Sequence, residues 1–421
     1  MHNRFLQEVL RRRARSRLGR LLVVTGARQT GKTTLVRRAF PDMTYLSMED
    51  PVLRPSFTRL SAAEWIARYP RAIVDEVQKA PSLIETLKAA HDDSSEVRYV
   101  LTGSSQILLL AKVRESLAGR AALEELWPLT LPELASRSWD EPLSESRLIR
   151  WLRTPKAKGT LLGVPATSPA FGKYQALLER YLSFGGMPVA ADETLGEEER
   201  ESWLRDYVRT YLERDVADLA ALRDLEPFVL VERLVAERTG RAVNFSDLAR
   251  GAQVSPATAR RFVRYLELSY QVGVLPPFHR NEEKRLAKMP KVHFLDPGVL
   301  RAVQGRRGPL SGEELESAVV SEILKQVRCA GLPLRAHHLR THDGREVDLL
   351  LESDAGFFAI EVKRSRHVSN ADARHLLGLE ALLPKPVLGA LLLSHDRDAR
   401  PVAGGSALAV PFAWALGAPD G

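Results

Sequence analysis

The rhythm of apolar and polar positions changes at about residue 135. Before it, short apolar or β-branched runs alternate with stretches of helical period, the pattern of βαβ units around a parallel sheet. Leu21–Thr25 predicts a buried strand, followed by a glycine loop and a helix from Lys32 to about Ala39. Thr44–Ser47, Ala72–Asp75 and Arg98–Thr102 predict further strands, separated by helical stretches at Ser61–Tyr69 and Pro81–His91. Leu123–Leu126, closed by Pro128, predicts a fifth.

Residues 136–223 read as mainly helical, with a Pro-, Gly-, Ala- and Thr-rich loop or insertion at Thr154–Gly172 and a long amphipathic stretch from Glu197 to Leu222. Residues 224–303 begin with a helix at Pro227–Glu237 and a second helical segment after Asn244. Ser255 is a good N-cap with Pro256 at the first helical position, and this third helix runs to about Leu268. Val272–Pro276 and Lys291–Leu295 then read as strands around the polar loop Arg280–Lys288, completing a winged helix-turn-helix pattern. A Gly-rich linker, Gln304–Gly312, opens the last part, 304–421. There the pattern predicts a helix at Glu313–Cys329, strands near Val347–Leu351, Phe357–Val362 and Leu388–Leu393, and a helix near Ala371–Leu383. Four parts (1–135, 136–223, 224–303 and 304–421) suit a chain of 421 residues, too long for one core.

Composition adds limits. With 44% hydrophobic and 27% charged residues, the chain has the balance of a soluble globular protein. No apolar run approaches the roughly 18 residues of a membrane helix, and the N-terminus lacks the apolar core of a signal peptide, so a cytoplasmic protein without membrane contact is expected. One cysteine, Cys329, excludes an internal disulfide framework and any multi-cysteine metal site. The net charge of +8 is modest, but residues 1–38 hold eleven basic side chains against the single acid Glu8. Such a cluster suits a polyanion, or forms a solvated arginine-rich helix face.

The chemistry begins in the first loop. Gly26-Ala27-Arg28-Gln29-Thr30-Gly31-Lys32-Thr33, followed by Thr34, fits the phosphate-binding pattern G-x-x-x-x-G-K-[ST] with a strand before it and a helix after it. Main-chain N–H groups and the helix N-terminus supply partial positive charge, Lys32 would reach the β- and γ-phosphates, and Thr33 would ligate Mg²⁺. Ala72-Ile73-Val74-Asp75-Glu76 ends a strand in two carboxylates. Asp75 is placed to hold the Mg²⁺ water shell and Glu76 to polarise the attacking water. At the end of Arg98–Thr102, Ser104 or Thr102 would sense the γ-phosphate, unless this is a plain Ser/Gly turn. Arg120 is a candidate arginine finger for a neighbouring subunit's nucleotide.

A second cluster lies near the C-terminus. Asp348 on one strand and Glu361-Val362-Lys363 on the next form the PD-(D/E)xK nuclease arrangement. Strand alternation puts Glu361 and Lys363 on one face. Asp348 and Glu361 would share Mg²⁺ or Mn²⁺, with Lys363 orienting a water, and Glu316 matches an additional acidic ligand. A solvent-facing strand also reads Glu-Val-Lys, so the motif alone is degenerate. His337 and His338, between the motifs, are expected on an exposed strand or loop. In the third helix of the winged pattern, Arg260, Arg261 and Arg264 would contact DNA phosphates, joined by Lys284 and Arg285 from the wing, while Phe262, Val263 and Leu266 face the core. Winged helices also serve as protein–protein modules.

Together, Gly26–Thr34, Ile73–Lys79, Leu101–Ser105, Glu115–Arg120 and Trp127-Pro128-Leu129 resemble a bacterial and archaeal family of AAA+ superfamily ATPases. Phe184–Pro188, Tyr211–Val216 and Lys284–Asp296 extend the resemblance over nearly the whole chain, the Thr154–Gly172 region excepted. It implies an α/β fold: an additional-strand P-loop sheet with a helical lid, a winged helix and a C-terminal restriction-endonuclease-like domain. It further implies Glu76 as catalytic glutamate, Arg120 acting in trans, Arg214 as a second sensor, ATP with Mg²⁺ as cofactors, and a homo-oligomer, a ring or hexamer. The function so implied is a DNA-binding ATPase that drives DNA processing on branched or broken DNA through a metal-dependent nuclease-like domain. The alternative is a nucleotide-gated regulatory or scaffolding ATPase whose C-terminal domain binds DNA without cutting it.

Overall fold

A computed structural model describes residues 2–16, 19–103, 117, 119–163, 165–212, 225–279 and 289–419. The first part carries α1 (Phe5–Ala14), β1 (Leu21–Gly26), α2 (Lys32–Ala39), β2 (Thr44–Ser47), α3 (Arg54–Thr58), α4 (Ala62–Arg68), β3 (Arg71–Asp75), α5 (Pro81–Asp93), β4 (Arg98–Thr102) and β5 (Ala122–Leu126). The five strands form one parallel sheet in the order β2-β3-β4-β1-β5. Strand alternation divides its side chains between two covered faces. Leu21 and Val23 of β1 pack with Trp65 of α4 and Leu83 and Leu87 of α5. Leu22 and Val24 pack with Leu6 and Leu10 of α1 and Leu35 and Val36 of α2. Because β4 lies between β1 and β3, the end of the loop-bearing strand and the end of the Asp75 strand flank Thr102.

Next come α6 (Leu131–Leu134), α7 (Arg147–Arg153), α8 (Pro169–Phe184), α9 (Glu197–Tyr207), α10 (Glu226–Ala236), α11 (Phe245–Gly251), α12 (Pro256–Leu268), β6 (Val272–Leu275), β7 (Lys291–Phe294) and α13 (Pro297–Gln304). Ser255 caps α12 by accepting the Thr258 N–H at 3.1 Å. The helices α9 to α13 and the antiparallel β6–β7 ribbon share one core around Phe228, Phe262, Leu266 and Phe294. The span 136–223 is divided between two cores: α9 joins this one, whereas α7 and α8 bury Trp151, Tyr174 and Leu178 against the C-terminal sheet.

That sheet follows α14 (Gly312–Cys329) and comprises β8 (Arg335–Arg340), β9 (Glu346–Glu352), β10 (Phe357–Lys363), β11 (Val387–Ser394), β12 (Arg400–Val402) and β13 (Ala407–Pro411), before α15 (Phe412–Leu416). Its order is β12-β13-β11-β10-β9-β8, with β10, β11 and β13 parallel and the edges antiparallel. The helix expected near Ala371–Leu383 is two short 3₁₀ turns, Arg374–Leu376 and Leu379–Ala381, separated by Gly378 at φ 65°. His337 and His338 are buried, not exposed, because the Pro276–Phe278 segment lies along β8 and brings the Phe278 ring onto His337. Burial pushes the His338 imidazole down to about 4.

A tight joint holds these parts together. Asp296 accepts the Gly186 N–H at 2.7 Å and those of Gly298 and Val299 at 2.9 and 3.1 Å, so one carboxylate caps α13 and fixes the end of α8. Gly185 there has φ 78°, and an added Cβ would meet Asp296 Oδ1 at 1.8 Å. Gly185→Ala is therefore expected to destabilise the fold by roughly 2–4 kcal/mol, combining a disfavoured φ with overpacking. Urea unfolding reads the change, and a loss below about 1 kcal/mol would show that the joint relaxes freely.

Candidate nucleotide site and acidic cleft

The loop between β1 and α2 keeps a shape that side chains resist. Gly31, the α2 N-cap, has φ 90°, and Gln29 also has a positive φ of 61°. Lys32 is buried, and its Nζ donates to the carbonyls of Gly26 at 3.0 Å and Ala27 at 2.8 Å. The Thr30 hydroxyl donates to the same Ala27 carbonyl at 2.7 Å. An ammonium folded against its own loop, at the start of a helix, marks a place prepared for an anion.

Asp75 gathers hydroxyls from three elements. Its Oδ2 accepts from Thr33 Oγ1 at 2.8 Å and from the Tyr45 hydroxyl at 2.7 Å, and its Oδ1 accepts from Thr102 Oγ1. Burial, then Asp75, pushes the Tyr45 phenol up to about 12, which keeps it a donor. The Thr33 hydroxyl beside a buried carboxylate is an oxygen pair that fits Mg²⁺ with its water shell. Glu76 follows at φ 55°, a left-handed backbone that costs a non-glycine residue on the order of 1 kcal/mol, and its carboxylate accepts from Gln78 Nε2.

Three contacts to the loop and the strand before it are absent from any local motif. Arg4, buried ahead of α1, donates to the Thr30 carbonyl at 3.1 Å and to Glu133 at 3.2 Å. The Tyr207 hydroxyl donates to the Arg28 carbonyl at 3.2 Å. Tyr270, just past α12, shares a 2.6 Å hydrogen bond with Thr25 Oγ1 and sets its ring on Trp127. Their only sequence signal is residue type, and arginines and tyrosines are common. Beside the loop, a cavity of about 740 Å³ runs from Thr30, Gly31 and Thr34 to Trp139, Leu177 and Pro188. Arg120 lies at the surface, where Nε pairs with Asp92 Oδ1 at 2.8 Å. Ser104, Arg214, Lys284 and Arg285 lie outside the described residues.

In the C-terminal sheet, Asp348 and Glu361 come together on β9 and β10. Asp348 Oδ2 accepts the Val362 N–H at 2.8 Å, and Lys363 Nζ pairs with Glu361 Oε1 at 2.6 Å. Glu316 reaches the same cleft from α14 but takes Lys291 as its partner at 2.7 Å. Burial, and then the neighbouring Asp348, raise the carboxyl pKa values of both Glu316 and Glu361. Among the described residues no three acids or imidazoles stand in a ready-made metal-ligand arrangement. Arg260, Arg261 and Arg264 are exposed on α12, while Phe262, Val263 and Leu266 are buried, as the pattern predicts.

Comparison with known proteins fits this geometry. Residues 19–135 match the family model described as an AAA domain. Residues 175–310 and 311–413 match two domains of unknown function, DUF8612 and DUF4143. Uncharacterized proteins of Mycobacterium tuberculosis and Mycobacterium bovis are each 28% identical over 376 residues, covering 84% of this chain and 74% of theirs. A Walker-type ATPase of Pyrococcus abyssi aligns at 14% identity and a TM-score of 0.43, covering 71% of this chain and 95% of that one. Among the described residues no helix is long and apolar enough to cross a membrane. The five-stranded parallel sheet and its phosphate loop lie within the segment that is similar to an AAA domain, the part of the chain that carries the ATPase signature.

Proposed function

We propose that this ATPase couples ATP hydrolysis to work on DNA. In the ATPase cycle Lys32 leaves the Gly26 and Ala27 carbonyls for the β- and γ-phosphates. Thr33 and Asp75 would hold Mg²⁺, whose charge offsets that of the phosphates. Glu76 polarises the attacking water, Thr102 reports on the γ-phosphate through Asp75, and Arg120 of a neighbouring copy completes the site. The cavity beside Thr30 and Thr34 takes the base and ribose, with the Trp139 and Leu177 side as its apolar wall.

The DNA reading is carried by α12, where Arg260, Arg261 and Arg264 share an exposed face behind a buried Phe262, Val263 and Leu266. Three guanidiniums on a capped helix suit backbone phosphates. Asp348, Glu361 and Lys363 supply the nuclease-like site, with Mg²⁺ or Mn²⁺ as its metal. The second reading, a scaffold that binds without cutting, is favoured by one observation: Lys291 stands in that cleft.

Phosphate release measured with plasmid, linear, forked and four-way DNA separates the readings. At least one DNA form is expected to accelerate turnover, and metal-dependent cutting is expected to vanish in Asp348→Ala. No acceleration by any form removes the DNA-coupled reading, and cutting unchanged in Asp348→Ala removes the cleft from the chemistry. Arg261→Gln should lower the slope of log affinity against log salt by about 1 if it neutralises one phosphate. An unchanged slope excludes that contact.

A further inference from the structure

Lys291 begins β7, within the core of the middle helices, yet its side chain ends in the C-terminal cleft. It is 3% exposed. Its Nζ stands 2.7 Å from Glu316 Oε1, 2.7 Å from Glu346 Oε1 and 3.6 Å from Asp348 Oδ1. Glu346 and Asp348 are two apart on β9 and so share a face, while Glu316 comes from α14. A buried ammonium this close to three carboxylates takes the position that a cation bridging α14 and β9 would take.

The cleft nevertheless holds more carboxyls than cationic side chains, with the His375 imidazole 3.7 Å from Glu361 Oε1. Glu361, on the neighbouring strand, is 2% exposed; Oε1 pairs with Lys363, and Oε2 has no hydrogen-bond partner among the described residues. A buried carboxylate oxygen without a donor is costly and uncommon in native folds. Four carboxyls, Glu316, Glu346, Asp348 and Glu361, face the two ammonium groups of Lys291 and Lys363. That excess suits a doubly charged ion better than a single ammonium.

The ribbon carrying Lys291 is packed on the C-terminal part: Leu275 enters the core of the C-terminal sheet, and the buried Ser321 hydroxyl on α14 donates to the Phe294 carbonyl at 2.8 Å. Its exit segment meets the edge strand β8 through two backbone hydrogen bonds, His338 N–H to the Pro276 carbonyl at 3.0 Å and Phe278 N–H to the His338 carbonyl at 2.6 Å.

We propose that Lys291 is a tethered cation filling the acidic cleft, so that a divalent ion binds Asp348, Glu316 and Glu361 only when the Lys291 ammonium leaves those carboxylates. This rests on the reading of the cleft as a metal site. Lys291 and the metal compete for Glu316 and Asp348, and the state with the ammonium in place is the metal-excluded one.

The test is Mn²⁺ binding to the nucleotide-free, full-length protein, followed by electron paramagnetic resonance in an Asp75→Asn background that silences the phosphate-loop metal site. Lys291→Met is expected to bind one Mn²⁺ at least tenfold more tightly than its Lys291 parent, and adding Asp348→Asn is expected to abolish that binding. Its melting temperature should fall in chelator and recover in Mn²⁺. Equal affinity with and without Lys291, lost in both on adding Asp348→Asn, overturns the plug and keeps the metal site. Absence of Mn²⁺ binding in both overturns the metal reading, and the plug with it. Should Lys291→Met fail to fold, Glu346→Gln removes one anchor of the lysine while sparing Glu316, Asp348 and Glu361. The plug predicts tighter Mn²⁺ binding in that variant; weaker or unchanged binding overturns it.

Discussion

Replacing Lys32 with alanine is expected to lower ATP turnover by about a hundred- to a thousand-fold, the usual cost of removing one preorganised charge from a transition state. The reason lies in the loop as much as in the reaction. Lys32 Nζ bonds the Gly26 and Ala27 carbonyls, so it is buried, oriented and close to where phosphates would lie. Alanine leaves those carbonyls without that donor and the phosphates without their cation. Glu76→Gln separates binding from chemistry. It should keep affinity for a fluorescent ATP analogue within a few-fold while turnover falls by about a hundredfold or more. Steady-state phosphate release and equilibrium binding, measured together, decide it. A Lys32→Ala protein with more than about a tenth of wild-type turnover would exclude Lys32 from the role argued for it.

The second large effect is on stability. Lys325 and Glu322 are both fully buried on α14 and pair at 3.0 Å. The lysine also donates to the Leu129 carbonyl at 3.2 Å and to the Tyr181 hydroxyl at 3.1 Å, while Glu322 Oε1 accepts the Leu131 N–H at 2.7 Å. Burial works against the ammonium, and Glu322 more than restores it, leaving the Lys325 pKa above its ordinary value. Lys325→Met strands the Glu322 charge in the core and is expected to cost about 3–5 kcal/mol. Adding Glu322→Gln should return much of that loss, because the pair is then neutral and the amide oxygen still accepts from Leu131. A loss below about 1 kcal/mol in the single variant, read by urea unfolding, would mean that water reaches the pair.

Legibility followed the distance over which information is written. Gly26–Thr33 and Asp75-Glu76 are contiguous and lie in a strand–loop–helix setting, so chemistry and fold were readable together. The strands Thr44–Ser47 and Arg98–Thr102 run as their β-branched and apolar residues predict. By contrast, β8 reads Arg-Ala-His-His-Leu-Arg, too polar to announce a strand, and is paired only because β9 and the Pro276–Phe278 segment lie on either side. The Ala371–Leu383 stretch has helical composition, but Gly378 and a demand for close packing over the sheet break it into turns. Lys291 reads as one more strand residue until tertiary structure sets it among Glu316, Glu346 and Asp348. Arg4, Tyr207 and Tyr270 were illegible for the same reason: what they touch lies far away in sequence.

That separation has a consequence during synthesis. The Tyr270 hydroxyl meets Thr25 across 245 positions, and the Tyr207 hydroxyl meets the Arg28 carbonyl across 179. The phosphate loop leaves the ribosome before these props, which follow at roughly 5–20 residues per second. For about ten seconds or more the nascent chain carries the motif without its supports, a delay set by the same translation rate. A fragment ending before Tyr207 retains Gly26–Thr33 whole, yet lacks both tyrosines. The ATPase site is therefore completed only after the 179 residues that separate its loop from Tyr207 have been made.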